Sequence, residues 1–188
     1  MNARDLILVI DMQNVYRPGE PWGCDTFHRS CANIKMLLDA AKAAENAPTA
    51  YFTAFRSDPN ATGMWAEYNR LNDHINSDPW MNELVDELQD YGKYFPVYQK
   101  SVYSSMAIPA VRRAAERAGR VVVTGVVSEC CVLSTCLSAI DLGCCVVYLR
   151  DACSGIDNAR ERAVLDVLDG LSPPHVTIMD TAEYLAER

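Results

Sequence analysis

The chain has 188 residues, of which 49% are hydrophobic and 22% charged, and its formal net charge is −8. This length and composition are typical of a globular protein of one domain, so we expect a single domain over residues 1–188. No lysine- and arginine-rich cluster is present, which argues against nucleic acid as a partner, because phosphate binding requires a basic surface.

The first residues and the apolar segments give no indication of export or of membrane insertion. A strand-like segment begins almost at once after Met1, without the apolar region and cleavage site of a signal peptide. No apolar run approaches the roughly 20 residues that span a bilayer. The eight cysteines lie mostly in predicted strands and helices, which favours a reducing compartment. We therefore expect a cytoplasmic protein without a membrane partner.

Strand-like and helix-like segments alternate along the whole chain, which predicts an α/β fold with a parallel sheet. The predicted strands are about Asp5–Ile10, Thr49–Phe55, Tyr94–Tyr98, Arg120–Thr124, Cys144–Leu149 and His175–Met179. The predicted helices are Thr26–Asn46, with Asp25 as its candidate cap, Asp78–Leu88, Pro109–Ala118, 130–142, Asp157–Leu168 and a last helix from about Asp180. We expect three α-β-α layers around a doubly wound, mostly parallel six-stranded sheet in the order 3-2-1-4-5-6.

Two long connections, residues 15–25 and 56–77, interrupt this alternation, and the second is predicted to be irregular. Long connections in compact domains usually carry function. Both follow predicted strands, so both should overhang the carboxyl edge of the sheet.

Three residues with complementary chemistry follow predicted strands. Asp11 ends the first strand, Lys100 comes soon after the third, and Cys131 lies six residues after Gly125, near a helix start. Ligands of open parallel sheets bind outside the carboxyl ends of the strands, and a helix N-terminus favours thiolate. Taken singly, each residue also has an ordinary structural role, as a turn aspartate, a solvated lysine or a core cysteine. Taken together, they are a base, a cation and a nucleophile.

Val9–Asn14, Lys100 and Gly125–Val132 resemble the motifs of the isochorismatase-like cysteine hydrolases. That superfamily includes nicotinamidases, N-carbamoylsarcosine amidases, ureidoacrylate hydrolases and isochorismatases. The resemblance implies the Rossmann-like isochorismatase fold, a catalytic triad of Asp11, Lys100 and Cys131, and a dimeric or tetrameric homo-oligomer.

The same resemblance implies a reaction. It predicts hydrolysis of a C–N bond in a small amide, carbamoyl or ureido compound, through a thioester intermediate on Cys131. The oxyanion would be bound by the backbone N–H groups of Val127 and Cys131, after a non-proline cis peptide bond between Val126 and Val127. Cys130 is the rival nucleophile, but the family cysteine is followed by valine, and Val132 follows Cys131.

The resemblance also bears on metals. Nicotinamidases of this family carry an Asp-x-His metal motif after the second strand, whereas Thr53–Asp58 contains no histidine. His28, His74 and His175 do not have the spacing of metal ligands. We therefore expect neither a metal nor another cofactor.

Candidate substrate contacts are taken from the two long connections, from the Asp11 motif and from the residues after Lys100, because small-molecule pockets combine aromatic side chains with a few polar groups. They are Gln13, Tyr16, Trp22, Arg56, Trp65, Tyr68 and Tyr103. Trp22 and Trp65 have the alternative role of packing the loops. Arg56 has the alternative of pairing with Asp58 or Glu67 instead of a substrate carboxylate.

Three other functions compete with an amidohydrolase. Isochorismatase-type ether hydrolysis dispenses with the cysteine that this chain keeps. A non-catalytic binding domain of the same fold has no need of a base and a nucleophile. A thiol-redox protein would use Cys-x-x-Cys, which this chain lacks, rather than the vicinal pair Cys130-Cys131. The sequence leaves the substrate open.

Overall fold

The computed structural model describes residues 1–187. The strands are β1 (Leu6–Ile10), β2 (Thr49–Phe55), β3 (Val97–Lys100), β4 (Val121–Val126), β5 (Val146–Ser154) and β6 (Val176–Met179). The helices are α1 (Phe27–Ala43), α2 (Met64–Leu71), α3 (Asp73–Asn76), α4 (Pro79–Asn82), α5 (Asp86–Tyr94), α6 (Pro109–Ala115), α7 (Leu133–Asp141), α8 (Asn158–Asp169) and α9 (Thr181–Ala186). Within residues 1–187, no helix has the length and apolar character needed to cross a membrane.

The six strands form one sheet in the order β3-β2-β1-β4-β5-β6, and every neighbouring pair is parallel. This confirms the predicted order. The central strands β1 and β4 are buried along their whole length, as expected of a parallel sheet covered on both faces. One face packs against α1, α5 and α9, and the other packs against α6, α7 and α8.

The segment between β2 and β3 departs most from the prediction. Residues 56–77 are not irregular throughout, since they contain α2 and α3, and the predicted helix Asp78–Leu88 is divided into α4 and α5. The division occurs because Leu84 forms a bridge to Gln13 and the Val85 N–H donates to the Met12 carbonyl at 3.0 Å. That pairing takes the chain out of helical geometry and fastens it to the segment after β1.

Several other boundaries differ from the prediction, and β3, β5 and α1 show the main differences. The third strand begins at Val97 instead of Tyr94, because α5 continues to Tyr94. The fifth strand extends to Ser154, beyond the predicted Leu149. Helix α1 is shorter than predicted, and Asp25 does not cap it.

The helix predicted over 130–142 begins differently. A five-residue π-helical turn, Ser128–Val132, precedes α7, and in it the Val132 N–H donates to the Val127 carbonyl at 3.2 Å. Turns of this wider type are rare and are frequent at functional sites.

Gly125 allows β1 and β4 to lie side by side where both approach the carboxyl edge. It pairs with Ile10 and has a φ of +108°, a backbone conformation that side chains with a Cβ rarely adopt. A Cβ at this position would lie 2.1 Å from the Ile10 carbonyl oxygen. The absence of a side chain therefore sets the separation of the two strands that lead to Asp11 and Cys131.

We expect Gly125→Ala to destabilise the protein by about 3 kcal/mol, because the added methyl group overlaps the β1 backbone and the left-handed conformation adds a further cost. Gly143→Ala is the matched control, since Gly143 also has a positive φ, +83°, but nothing lies within 4 Å of its Cβ position. The control should lower the free energy of unfolding by only about 1 kcal/mol, which is the cost of placing alanine in a left-handed conformation. Urea unfolding measures both, and equal losses for the two variants would contradict the close-approach argument.

Candidate active site

The structure brings Asp11, Lys100 and Cys131 together at the carboxyl edge of the sheet. Asp11 follows β1, Lys100 is the last residue of β3, and Cys131 lies in the π-helical turn after β4. Asp11 Oδ2 is 2.6 Å from Lys100 Nζ, and Nζ is 3.3 Å from Cys131 Sγ. All three residues are buried. The expected convergence is therefore present in the geometry, with the lysine bridging the other two side chains.

The conformation of Asp11 is held by β2. Asp11 has a φ of +53°, which is uncommon for a residue other than glycine. Its N–H donates to the Thr53 carbonyl at 3.1 Å, and the Thr53 hydroxyl donates to Asp11 Oδ1 at 2.8 Å. One carboxylate oxygen is thus occupied by Thr53, and the other faces Lys100. The sequence reasoning missed Thr53, although the parallel register that pairs Ile10 with Thr53 carries the signal.

Lys100 is positioned by contacts at its ammonium group. Besides its two partners in the site, Nζ donates to the Val102 carbonyl at 3.1 Å and lies 5.7 Å from the centre of the Phe55 ring. Burial lowers the pKa of Lys100, but Asp11 and Cys131 raise it, and the net value lies above that of an ordinary lysine. The side chain is therefore a fixed cation inside the site.

The pKa of the Cys131 thiol is set by burial and by its two charged neighbours. Burial raises its pKa and the Asp11 carboxylate raises it further, while Lys100 lowers it, and the net shift is upward. Desolvation of the charged form is the largest of these effects, and the preference for thiolate at the start of a helix stays a prediction. The thiol needs a base before it can attack, and Asp11 is the carboxylate beside it.

The neighbouring Cys130 has a different environment. It is half-buried and packs against the α1 side of the sheet, whereas Cys131 belongs to the core on the other side. Burial and Glu129 raise its pKa. No lysine contacts its sulfur among residues 1–187, so the structure favours Cys131 as the candidate nucleophile.

The peptide bond between Val126 and Val127 is cis, as the sequence reasoning predicted. Val127 is buried and begins the π-helical turn that carries Cys131. Binding of an oxyanion by the Val127 and Cys131 N–H groups stays a prediction.

Six aromatic rings, here called the aromatic cluster, lie beside the three site residues, with neighbouring centroids 5.0 to 6.3 Å apart. The cluster consists of Tyr16, Trp22, Phe55, Trp65, Tyr68 and Tyr103. Trp22 contacts Tyr68 and so packs the connection 15–25 against the connection 56–77. This is the packing role that the sequence offered as the alternative to substrate contact. Phe55, which the sequence reasoning missed, is the member of the cluster that lies beside Lys100.

Two predicted substrate contacts are placed differently from the aromatic residues. The Gln13 amide donates to the Phe55 and Asn82 carbonyls and accepts from the Phe55 N–H. Gln13 therefore holds the chain after β2 against the α4 segment, and we correct its assignment from substrate contact to positioning.

Arg56 is half-buried, and its guanidinium has no ion pair with Asp58 or any other carboxylate of residues 1–187.

No group of three or more histidine, cysteine, aspartate or glutamate side chains in the described part of the chain is arranged to hold a metal ion. All eight cysteines, which lie within that part, are free thiols. The independence of the site from metals stays a prediction.

Comparison with known proteins identifies the architecture. The chain matches the family model of the isochorismatase domain over residues 5–183. No curated protein matched the sequence.

Solved structures with the same fold cover nearly the whole chain. An isochorismatase family protein from Desulfovibrio vulgaris has a TM-score of 0.80 at 21% identity, over 99% of this chain and 100% of that one. A cysteine hydrolase from Pseudomonas syringae has a TM-score of 0.79 at 21% identity, over 98% and 92%. A pyrazinamidase/nicotinamidase from Streptococcus mutans has a TM-score of 0.69 at 19% identity, over 93% and 99%. At these identities the likeness shows the fold.

The protonation state of Cys131 can be measured directly. At pH 7 we expect the ultraviolet absorbance of thiolate to be the same in the wild type and in Cys131→Ala, because the raised pKa keeps the thiol protonated. A difference should appear only as the pH rises through that raised value. Cys130→Ala is the matched control. A thiolate band at pH 7 that disappears in Cys131→Ala would show that the Lys100 charge outweighs burial.

Proposed function

This chain belongs to the isochorismatase family of hydrolases, and we propose that it is a cysteine amidohydrolase that cleaves a C–N bond in a small amide, carbamoyl or ureido compound. The observation that carries the proposal is the buried contact of a thiol, a lysine and a carboxylate, at 3.3 and 2.6 Å. Ether hydrolysis has no use for a nucleophile held in this way.

In the first half of the reaction, Asp11 accepts the Cys131 proton and the sulfur attacks the substrate carbonyl carbon. Because attack transfers negative charge to the carbonyl oxygen, the backbone N–H groups of Val127 and Cys131 stabilise that oxygen. Lys100 keeps its charge and offsets the charges that appear on sulfur and on oxygen. Collapse of the tetrahedral species breaks the C–N bond, Asp11 returns its proton to the leaving nitrogen, and a thioester remains on Cys131.

The second half repeats these steps with water. Asp11 takes a proton from the water, hydroxide attacks the thioester carbon, and the carbon–sulfur bond breaks. The sulfur recovers the proton from Asp11, and the acid product leaves. One water is consumed and one amine or ammonia is released, and Asp11 acts as a base and then as an acid twice in each cycle.

The resting thiol agrees with this cycle. A nucleophile whose pKa is raised by burial stays protonated until a base removes the proton, and in the proposed cycle Asp11 is that base. Thr53 keeps that carboxylate oriented from its other oxygen.

A library of small amides and ureido compounds, assayed for ammonia release, tests the proposal. We expect the wild type to hydrolyse at least one compound and Cys131→Ala to lose that activity. Asp11→Asn should cost roughly 10²–10⁴-fold, because it removes the base without changing the shape of the side chain.

Cys130→Ala is the matched control and is expected to keep most of the activity. If Cys130→Ala is inactive and Cys131→Ala is not, the nucleophile has been misassigned. Release of an alcohol from an enol ether, with no ammonia from any amide, would favour the ether-hydrolysing alternative.

We also expect turnover to survive exhaustive chelation, because Thr53–Asp58 lacks the Asp-x-His motif and residues 1–187 contain no cluster arranged for a metal. The measurement is the rate before and after treatment with a chelator. Loss of activity that zinc or manganese restores would contradict this expectation.

A further inference from the structure

A cavity of about 390 Å³ lies on the outer side of the aromatic cluster, between α2 and the segment after β3. Its walls are mostly apolar and consist of Met64, Trp65, Glu67, Tyr68, Leu71 and Tyr103. The volume falls within the roughly 300–1,000 Å³ of small-molecule sites.

The cavity adjoins the site residues through its aromatic wall. Trp65 and Tyr103 have ring centroids 5.0 Å apart, and Trp65 lies 6.3 Å from Phe55, the ring beside the Lys100 ammonium. Tyr103 directly follows Val102, whose carbonyl accepts a hydrogen bond from Lys100 Nζ. The aromatic wall of the cavity therefore lies next to the ring that contacts Lys100.

The cavity wall offers no unpaired charge to a ligand, because its carboxylate is already paired with an arginine of the same chain. Glu67 is the one carboxylate that the described part of the chain contributes to the wall, and both of its oxygens accept from Arg70, at 2.7 and 2.8 Å. No lysine or arginine side chain of residues 1–187 lines the cavity. A charged ligand group would therefore lose water without gaining an opposite charge.

The apolar side chains around the cavity are unusually exposed. Met64 is 79% exposed, Leu71 61% and Tyr103 40%. Large apolar side chains grouped at an opening next to buried catalytic groups are typical of ligand-binding surfaces.

We propose that this cavity is the subsite for an uncharged apolar group of the substrate, an alkyl chain or a ring attached to the scissile amide. The inference rests on the proposed function and narrows its substrate class. The scissile group contacts Cys131, and the apolar group lies between Trp65, Tyr103 and α2. Each buried methylene then adds to the stability of the enzyme–substrate complex and of the transition state.

The test is a series of straight-chain primary amides, from acetamide to hexanamide, with the wild type. We expect kcat/KM to rise about fourfold for each added methylene until the cavity is filled. Succinamate, which is close to pentanamide in length but carries a carboxylate, should react at least about tenfold more slowly than pentanamide.

Leu71→Asp introduces a charge at the cavity wall and should flatten the dependence on chain length. Val167→Asp is the matched control, because Val167 is 48% exposed on α8 and does not line the cavity. It should keep the wild-type slope. Sedimentation of both variants records whether either substitution changes the oligomeric state.

Binding of the same amides to Cys131→Ala, measured by calorimetry, separates the two proposals because it does not depend on turnover. If no amide is hydrolysed but affinity rises with chain length, the proposed function fails and the subsite stands. If amides are hydrolysed with a flat or reversed slope, the function stands and the subsite is refuted. A slope that survives Leu71→Asp while the oligomer dissociates identifies the apolar surface as a contact between copies and also refutes the subsite.

Discussion

The buried ion pair between Asp11 and Lys100 is the interaction on which the arrangement of the site depends. The side chains are 0% and 1% exposed, and withdrawing two charges from water costs several kcal/mol for each. Thr53 and the Val102 carbonyl offset part of that cost through hydrogen bonds. β1 and β3 are not adjacent, so the lysine crosses the end of β2 to reach the carboxylate. Removing either charge would leave the other buried without a partner.

The fold was largely predictable because the parallel sheet imposes simple sequence patterns. Strands buried on both faces are continuous apolar runs, and this located β1 and β4. The alternation with helices indicated a parallel sheet, and the predicted strand order was the one typical of doubly wound folds. The region between β2 and β3 was not predictable in the same way. Its helices α2 and α3 bury few side chains, and the break between α4 and α5 results from the contact of Leu84 and Val85 with the chain after β1. Such a contact between distant segments leaves no periodic signal.

The candidate site was predicted from the position of its residues at strand ends and from the family resemblance. The residues that the prediction missed or misassigned were missed for physical reasons. Asp11, Lys100 and Cys131 were located because each chemical type stands where a parallel sheet collects its ligands. Thr53 and Phe55 were overlooked because a threonine and a phenylalanine in a strand are ordinary core residues unless the register is used. Gln13 was misassigned because an amide in a motif gives no indication of whether it faces a ligand or the backbone. The pKa of Cys131 depends on the opposing effects of burial and of two neighbouring charges. Those effects can be judged only when the positions of the atoms are known.

The burial of Cys131 and its raised pKa have a consequence for the durability of the protein. Peroxide and related oxidants react with thiolates far more readily than with thiols, and exposure also favours the reaction. A cysteine that is 4% exposed and keeps its proton is therefore a poor target while the site is idle. It becomes vulnerable only during the short interval in which the base holds the proton. Oxidative inactivation of the resting protein is thus expected to be slow.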